Sequence, residues 1–198
     1  LAARAHILRD KTRDPLREFR EVNLHGTQQL AQAAAAKGVK RFVYVSSIGV
    51  NGMKTIMGKP FTELDEPRPH NAYALSKWEA EQALKRLSEE AGMEFVIIRP
   101  PLVYGRGAPG NFADLLRIVA AGIPLPFGAV HNLRSFVALD NLVDFIDVCC
   151  VHPRAANQVF LIGDGQDLST PELIRGIAQS IHQNIFLFPV PLWMLKAG

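Results

Sequence analysis

Apolar residues recur along this chain at helical spacing, then gather into short continuous runs, and the two patterns alternate. Asp14 before Pro15 joins an N-cap residue to the one turn where a helix tolerates proline. With Gly38 as a stop, this predicts one helix from Pro15 to Lys37. Its stripe runs Leu16, Phe19, Asn23, Gly26/Thr27, Leu30 and Ala34, so Asn23 is a polar residue on a face that should meet the core. Arg41 to Ser47 is a nearly continuous β-branched and aromatic run, the pattern of a strand covered on both faces. A second helix is predicted from Ala72 to Glu90, with Trp78, Ala80/Glu81, Leu84 and Leu87 at helical spacing and Gly92 at its end. Glu94 to Arg99 then reads as another buried strand, stopped by Pro100-Pro101. Strand, crossover helix, strand is a βαβ unit, whose right-handed parallel form is strongly favoured. Beyond it come a helix near Asn111 to Ala121, a strand from Arg134 to Leu139, a helix from Asp140 to Cys150 and a strand from Gln158 to Ile162. Ser169-Thr-Pro-Glu172 is a capping box announcing a helix to about His182.

Composition narrows the class. The 198 residues fit one domain, or one and part of a second, and 48% hydrophobic with 21% charged residues excludes disordered and collagen-like chains. Lys plus Arg is 22 against 19 Asp plus Glu, and no block of five like charges occurs, so a nucleic-acid partner is not expected. The two cysteines, Cys149 and Cys150, are adjacent and suit neither a disulfide framework nor a metal site. A reducing, cytoplasmic compartment follows as the simplest expectation. Ile185 to Leu195, broken by Pro189 and Pro191, is too short to span a bilayer, so no membrane partner is expected either. The chain opens on Leu-Ala-Ala-Arg, without Met or a signal-peptide run, and reads as an excerpt.

The sharpest chemistry is Tyr73-Ala-Leu-Ser-Lys77 together with Ser46-Ser47 at the end of the preceding strand. Tyr and Lys four residues apart share a helix face, and an ammonium there favours the phenolate, drawing the phenol down from about 10 towards neutrality. Lys77 can also donate to ribose hydroxyls. Ser47 stands at a strand's carboxyl end, where α/β sheets open their ligand crevice, and can orient a substrate hydroxyl. A Tyr/Lys pair alone is most often a surface pair; the strand-end serine and the asparagine on a core stripe give it weight.

With these residues in place, the chain resembles the extended short-chain dehydrogenase/reductases, in particular the NAD-dependent epimerase/dehydratase group. The resemblance is carried by Leu1-Ala-Ala3, Val22-Asn-Leu-His-Gly-Thr27, Phe42-Val-Tyr-Val-Ser-Ser47, Tyr73-Ala-Leu-Ser-Lys77, Arg99-Pro-Pro-Leu-Val-Tyr-Gly105 and Arg134-Ser-Phe-Val-Ala-Leu-Asp140, in the family's order. It implies an α/β fold: a Rossmann-type doubly wound parallel sheet, its first βαβ units missing, with a small, partial α/β substrate-binding region. Residues 1–105 would belong to the NAD-binding domain and 106–198 mainly to the substrate region, with elements at about 134–150 returning to the first domain. It further implies Ser47, Tyr73 and Lys77 as the catalytic set, with Tyr73 as acid/base. Ala2, Ala3, Asn23, Ser46, Ser47, Tyr73, Lys77, Pro100 and Val103 would lie along NAD, with NADP not excluded, and Asn111, Phe127 and Arg134 along the substrate's diphosphate. A planar guanidinium suits a pyrophosphate, although Arg134 opposite Asp140 or Asp144 also reads as a surface pair. The resemblance implies no metal, a nucleotide-sugar substrate, a UDP-sugar first among them, and a homodimer through the helices at 15–37 and 72–90.

Departures shape the reading. Val50-Asn51-Gly52 stands where the family has Val-Tyr-Gly, and Ala138 where a histidine is common. Dehydrating members carry an acidic pair where this chain has Ile48-Gly49, so dehydration is not expected. Gly105-Arg-Gly107-Ala-Pro-Gly110 matches the dinucleotide fingerprint literally, yet Pro100-Pro101 and Pro109 break the strand and helix that the fingerprint needs. With no other glycine cluster to cradle a pyrophosphate, this stretch alone is expected to bind NAD weakly or not at all and to be inactive by itself. Three functions stay open: a nucleotide-sugar epimerase first, an NAD(P)-dependent oxidoreductase on a sugar nucleotide or small alcohol second, and a non-catalytic dinucleotide sensor third.

Overall fold

Asp14 accepts the backbone N–H of Arg17 at 3.1 Å and starts helix α1 (Pro15–Arg20), as the Asp-Pro pair predicts. The computed structural model describes residues 3–5, 12, 14–56, 58–105, 107, 111–191 and 194, with the backbone only at 111. The helix passes through a π turn (Glu21–His25) into α2 (Gly26–Ala36), with helical dihedrals at both junctions, so the expected helix is continuous in path but not in hydrogen bonding. Then come β1 (Arg41–Val45), a 3-10 turn (Ile48–Val50), α3 (Ala72–Ala91), β2 (Glu94–Arg99), β3 (Leu102–Tyr104), α4 (Asn111–Ala120), β4 (Phe136–Ala138), α5 (Leu139–Val151), β5 (Gln158–Leu161) and α6 (Thr170–Ser180). Apart from β3 and the turns, this is the α/β order that the alternating patterns predict.

The chain divides into two compact units, Leu1–Pro101 with Asp140–Ile162, and Leu102–Leu139 with Gly163–Gly198. Residues 102–105 and 134–139 thus group with the second unit, and the segment that returns to the first is Asp140–Ile162.

In the first unit, β1, β2 and β5 form a parallel sheet in that order, with Tyr44 opposite Ile97 and Ile97 opposite Val159. Because side chains alternate along a strand, these three share one face, where Ala31 of α2 and Ala80 and Leu84 of α3 pack on them. Ile98 and Phe160, paired in the next register, take the opposite face, where Phe145 of α5 meets the Phe160 ring edge-on at 5.4 Å. Cover on both faces explains why β2 reads as an unbroken apolar run. Asn71 caps α3 by accepting the Ala74 N–H at 2.8 Å, and Gly92, at φ +66°, lets the chain leave the helix in a left-handed turn closed to usual side chains. β1 ends two residues before the predicted Ser47, because Ser47 turns to cap the 3-10 turn.

In the second unit, β3 and β4 pair in parallel, and α4 and α6 meet through Val119, Leu125, Ile174, Ile177 and Ala178. β3 restarts directly after the proline pair that ends β2, and the sequence pattern does not announce it. β4 is shorter than the predicted Arg134 to Leu139, because Arg134 instead pairs its backbone with Leu168. The capping box at Ser169 and Glu172 forms as predicted. Among the described residues no helix is long and apolar enough to cross a membrane.

Leu84, 2% exposed between α3 and the sheet, is expected to cost about 3 kcal/mol when cut to alanine. Leu64, 95% exposed, is expected to cost within about 0.5 kcal/mol. Urea unfolding of both variants checks the assignment of the core.

Candidate active site

The first turn of α3 and the end of β1 set the site. The Asn71 cap fixes Tyr73 as the second residue of the helix, and Lys77 follows one turn later. Across from them the chain leaves β1 through Ser46, whose N–H donates to Ile98 O at 2.7 Å, and Ser47, whose Oγ accepts the Gly49 N–H at 3.1 Å. Ile48 N–H donates to Pro100 O at 3.0 Å, so the serine turn is pinned to the end of β2. Phe19 of α1 supports the Tyr73 ring edge-on at 5.8 Å.

Electrostatics separate Lys77 from Tyr73. Lys77 is 3% exposed, and burial lowers its pKa from 10.5 to about 8 against the opposing pull of Glu81. Its Nζ lies 4.2 Å from the Tyr44 ring centroid, over the π face, and it makes no ion pair among the described residues. The Tyr73 phenol departs from expectation: burial pushes it up, and only the nearby Ser47 hydroxyl, short of a full hydrogen bond, pulls it down. In the bare chain desolvation dominates, so the phenol is raised rather than drawn towards neutrality, and the Lys77 ammonium lies over the Tyr44 ring.

Asn23, 1% exposed, sits in the π turn, an interruption frequent at functional positions. Its Oδ1 accepts the Arg4 N–H at 2.9 Å, and its Nδ2 donates to Arg4 O and Ser76 Oγ, both at 3.1 Å. It thus ties the segment after Ala3 to α3, and both its donors are used within the protein. Ser46 likewise turns inward and donates to Glu81 Oε1. Ala3 is exposed and Pro100 buried. Ala2 lies outside the described residues, as do the side chain of Asn111, Trp193 and most of the glycine-rich loop at 105–110. The structure therefore gathers Ser46, Ser47, Tyr73, Lys77, Asn23 and Pro100 in the first unit.

Val103, Phe127 and Arg134 belong to the second. Val103 is in β3, and Phe127 packs against the core of that unit. Arg134 is exposed.

Sequence reasoning passed over three residues beneath the site. Glu81, 0% exposed, accepts Arg99 Nε at 3.0 Å and Nη2 at 2.6 Å, and Arg99 Nη1 donates to Asn51 Oδ1 at 3.0 Å. The available signal was a charge on each of two core-facing patterns, Glu81 on the α3 stripe and Arg99 in the apolar β2 run, since buried charges need partners.

Residues 1–163 match the model of the NAD dependent epimerase/dehydratase family. The chain is 51% identical to a UDP-glucose 4-epimerase of Vibrio cholerae, over 98% of this chain and 60% of that protein. It is 32% identical to an N-acetyl-alpha-D-glucosaminyl-diphospho-ditrans,octacis-undecaprenol 4-epimerase of Escherichia coli O157:H7, over 91% of this chain and 55% of that one. The chain therefore spans little more than half the length of these relatives. Its fold is similar to RMD from Pseudomonas aeruginosa complexed with NADPH (TM-score 0.82, 27% identity, 96% of this chain and 68% of that one). It is also similar to the Thermus thermophilus UDP-glucose 4-epimerase in complex with NAD (TM-score 0.77, 25% identity, 96% and 63%).

Burial of Lys77 has a signed consequence. Between about pH 8 and 10.5 the unfolded chain holds a proton that the folded chain has released, so stability rises with pH across that window. Lys77→Met is expected to exceed the parent in stability at pH 7, by about 3 kcal/mol at most, and to lose that advantage by pH 10.5. Urea midpoints at both pH values measure it; a difference independent of pH would show that the ammonium is not desolvated.

Proposed function

The chain belongs to the NAD dependent epimerase/dehydratase family, and on that premise we propose that the protein is a nucleotide-sugar epimerase acting on a UDP-sugar. The observation that carries this reading is Lys77: a buried ammonium with no ion pair among the described residues, one turn from Tyr73 and beside a strand-end serine. A lysine so placed has three N–H donors to offer a ligand, which fits the ribose hydroxyls of a dinucleotide. Ser47, Tyr73 and Lys77 would hold that end of NAD or NADP, with Ala2, Ala3, Asn23, Ser46, Pro100 and Val103 along it. Asn111, Phe127 and Arg134 would serve the substrate diphosphate, the first unit then acting as the dinucleotide domain and the second as the substrate region. NAD, when bound, supplies a reversible hydride acceptor whose ring charge favours a nearby phenolate.

Tyr73 takes the proton of the sugar hydroxyl as that carbon is oxidised and returns it once the sugar has presented its other face. Ser47 orients the hydroxyl, and Lys77 steadies the phenolate while it exists. The burial that holds Tyr73 protonated in the bare chain also excludes water from this exchange. Net oxidoreduction is the second reading, favoured by the likeness to RMD with its NADPH. The complete Ser47, Tyr73 and Lys77 set weighs against a sensor without turnover. The two free cysteines support a cytoplasmic setting. Homodimerisation through α1–α2 and α3 is supported by Val22 and Leu30, 42% and 63% exposed.

In the whole protein, Tyr73→Phe is expected to lower turnover of UDP-glucose by roughly 10²–10⁴-fold. Survival within about tenfold would remove Tyr73 from the acid/base role. Absorbance at 340 nm is expected to stay level during parental turnover, and a steady net change would replace the epimerase with the oxidoreductase. Leu30→Glu is expected to convert a dimer into a monomer in sedimentation velocity, whereas a monomeric parent would end the dimer reading.

A further inference from the structure

Lys77 and Glu81 stand four residues apart on α3, the spacing at which lysine and glutamate ordinarily pair on one helix, and they are 3% and 0% exposed. They form no ion pair. Glu81 directs Oε1 to Arg99 Nε and Ser46 Oγ, and Oε2 to Arg99 Nη2, while Lys77 Nζ lies over the Tyr44 ring. Arg99 is held in this arrangement by Asn51, whose Oδ1 accepts from Nη1 at 3.0 Å. Asn51 is itself 2% exposed and anchored, since its Nδ2 donates to Thr62 O at 2.9 Å, so its oxygen cannot rotate away without losing a second bond. All three guanidinium nitrogens thus have acceptors, two from Glu81 and one from Asn51.

We propose that Asn51 and Arg99 are positioning residues that keep Glu81 occupied, so that the Lys77 ammonium stays free beside Tyr73. The reasoning is competition. A buried carboxylate without a partner is strongly unfavourable, and if Arg99 loosened, the nearest cation on the same helix face would be Lys77, on a flexible stem. Capture by Glu81 would spend the donors that the proposed function assigns to the ribose. Asn51 Oδ1 supplies the acceptor for the guanidinium nitrogen that Glu81 does not reach. Among the described residues, the charged and titratable groups around Lys77 are Tyr73 and Glu81 of α3 and Tyr44 of β1, with Arg99 of β2 beyond Glu81. Glu81 already favours the charged lysine, and burial opposes it.

The inference rests on the reading that Lys77 serves Tyr73 and the ribose, but its test needs no turnover. Asn51→Leu changes no charge. In this chain labelled with 13C-lysine, the Lys77 Cε resonance, assigned with Lys77→Arg, reports the titration directly. Asn51→Leu is expected to raise the proton affinity of Lys77 roughly tenfold or more, as Glu81 turns to it. If that variant does not fold, Arg99→Lys, which keeps the charge and loses the fork, is expected to give the same rise. A folded variant whose thermal stability falls while Lys77 titrates as in the parent would overturn the proposal and reduce Asn51 to a packing role. That result would leave the acid/base reading intact, whereas full turnover by Tyr73→Phe would sink the acid/base reading without altering the Lys77 titration.

Discussion

The buried fork between Arg99 and Glu81 is the constraint on which the site depends. It joins the end of β2 to the middle of α3, draws in Ser46 from the end of β1, and reaches through Asn51 to the chain leaving the 3-10 turn. Removing one partner of such a pair typically costs about 3–5 kcal/mol, because the other charge is left bare. Replacing both with apolar residues is often neutral, so such a pair is weak evidence for net stability. It fixes these chain segments against one another at the point where Ser46, Ser47, Tyr73 and Lys77 lie.

Helix α3 turns that constraint into spacing. Tyr73, Lys77 and Glu81 follow at intervals of four and climb the same side of the helix, from the half-buried first turn to the fully buried third. Each step inward costs more solvation. Lys77, at the middle step, has no ion pair among the described residues and keeps its place through the face of Tyr44 and at the expense of proton affinity. The Asn71 cap below and the left-handed Gly92 above set where this scale begins and ends. Asn23 adds a brace from the π turn to Ser76, one residue before Lys77.

Much of this was legible in the sequence because it is local. The Asp14 and Ser169 caps, the apolar β1 and β2 runs, and the Tyr73/Lys77 interval depend on residues a few positions apart, where hydrogen bonding and side-chain period dominate. What stayed hidden is long-range. Strand β3 is only a three-residue segment made regular by its partner β4, and the π turn differs from an α turn by a hydrogen-bond shift that no pattern of apolar positions records. Ser46 and Ser47 are adjacent and chemically alike, and only the direction of the strand sends the first to Glu81 and leaves the second beside Tyr73.

By itself the sequence determined the order of elements apart from β3 and the π turn, the helical face shared by Tyr73 and Lys77, and the family, since each follows from short-range spacing and motif order. Tertiary structure alone decided the ionisation of that face. Desolvation raises Tyr73 and lowers Lys77, and it depends on how much protein surrounds each group, which spacing along a helix does not specify. It decided, too, that Glu81 pairs with Arg99 across the fold rather than with Lys77 along its own helix. A planar fork braced by Asn51 satisfies both carboxylate oxygens, which a single ammonium on the same helix does not.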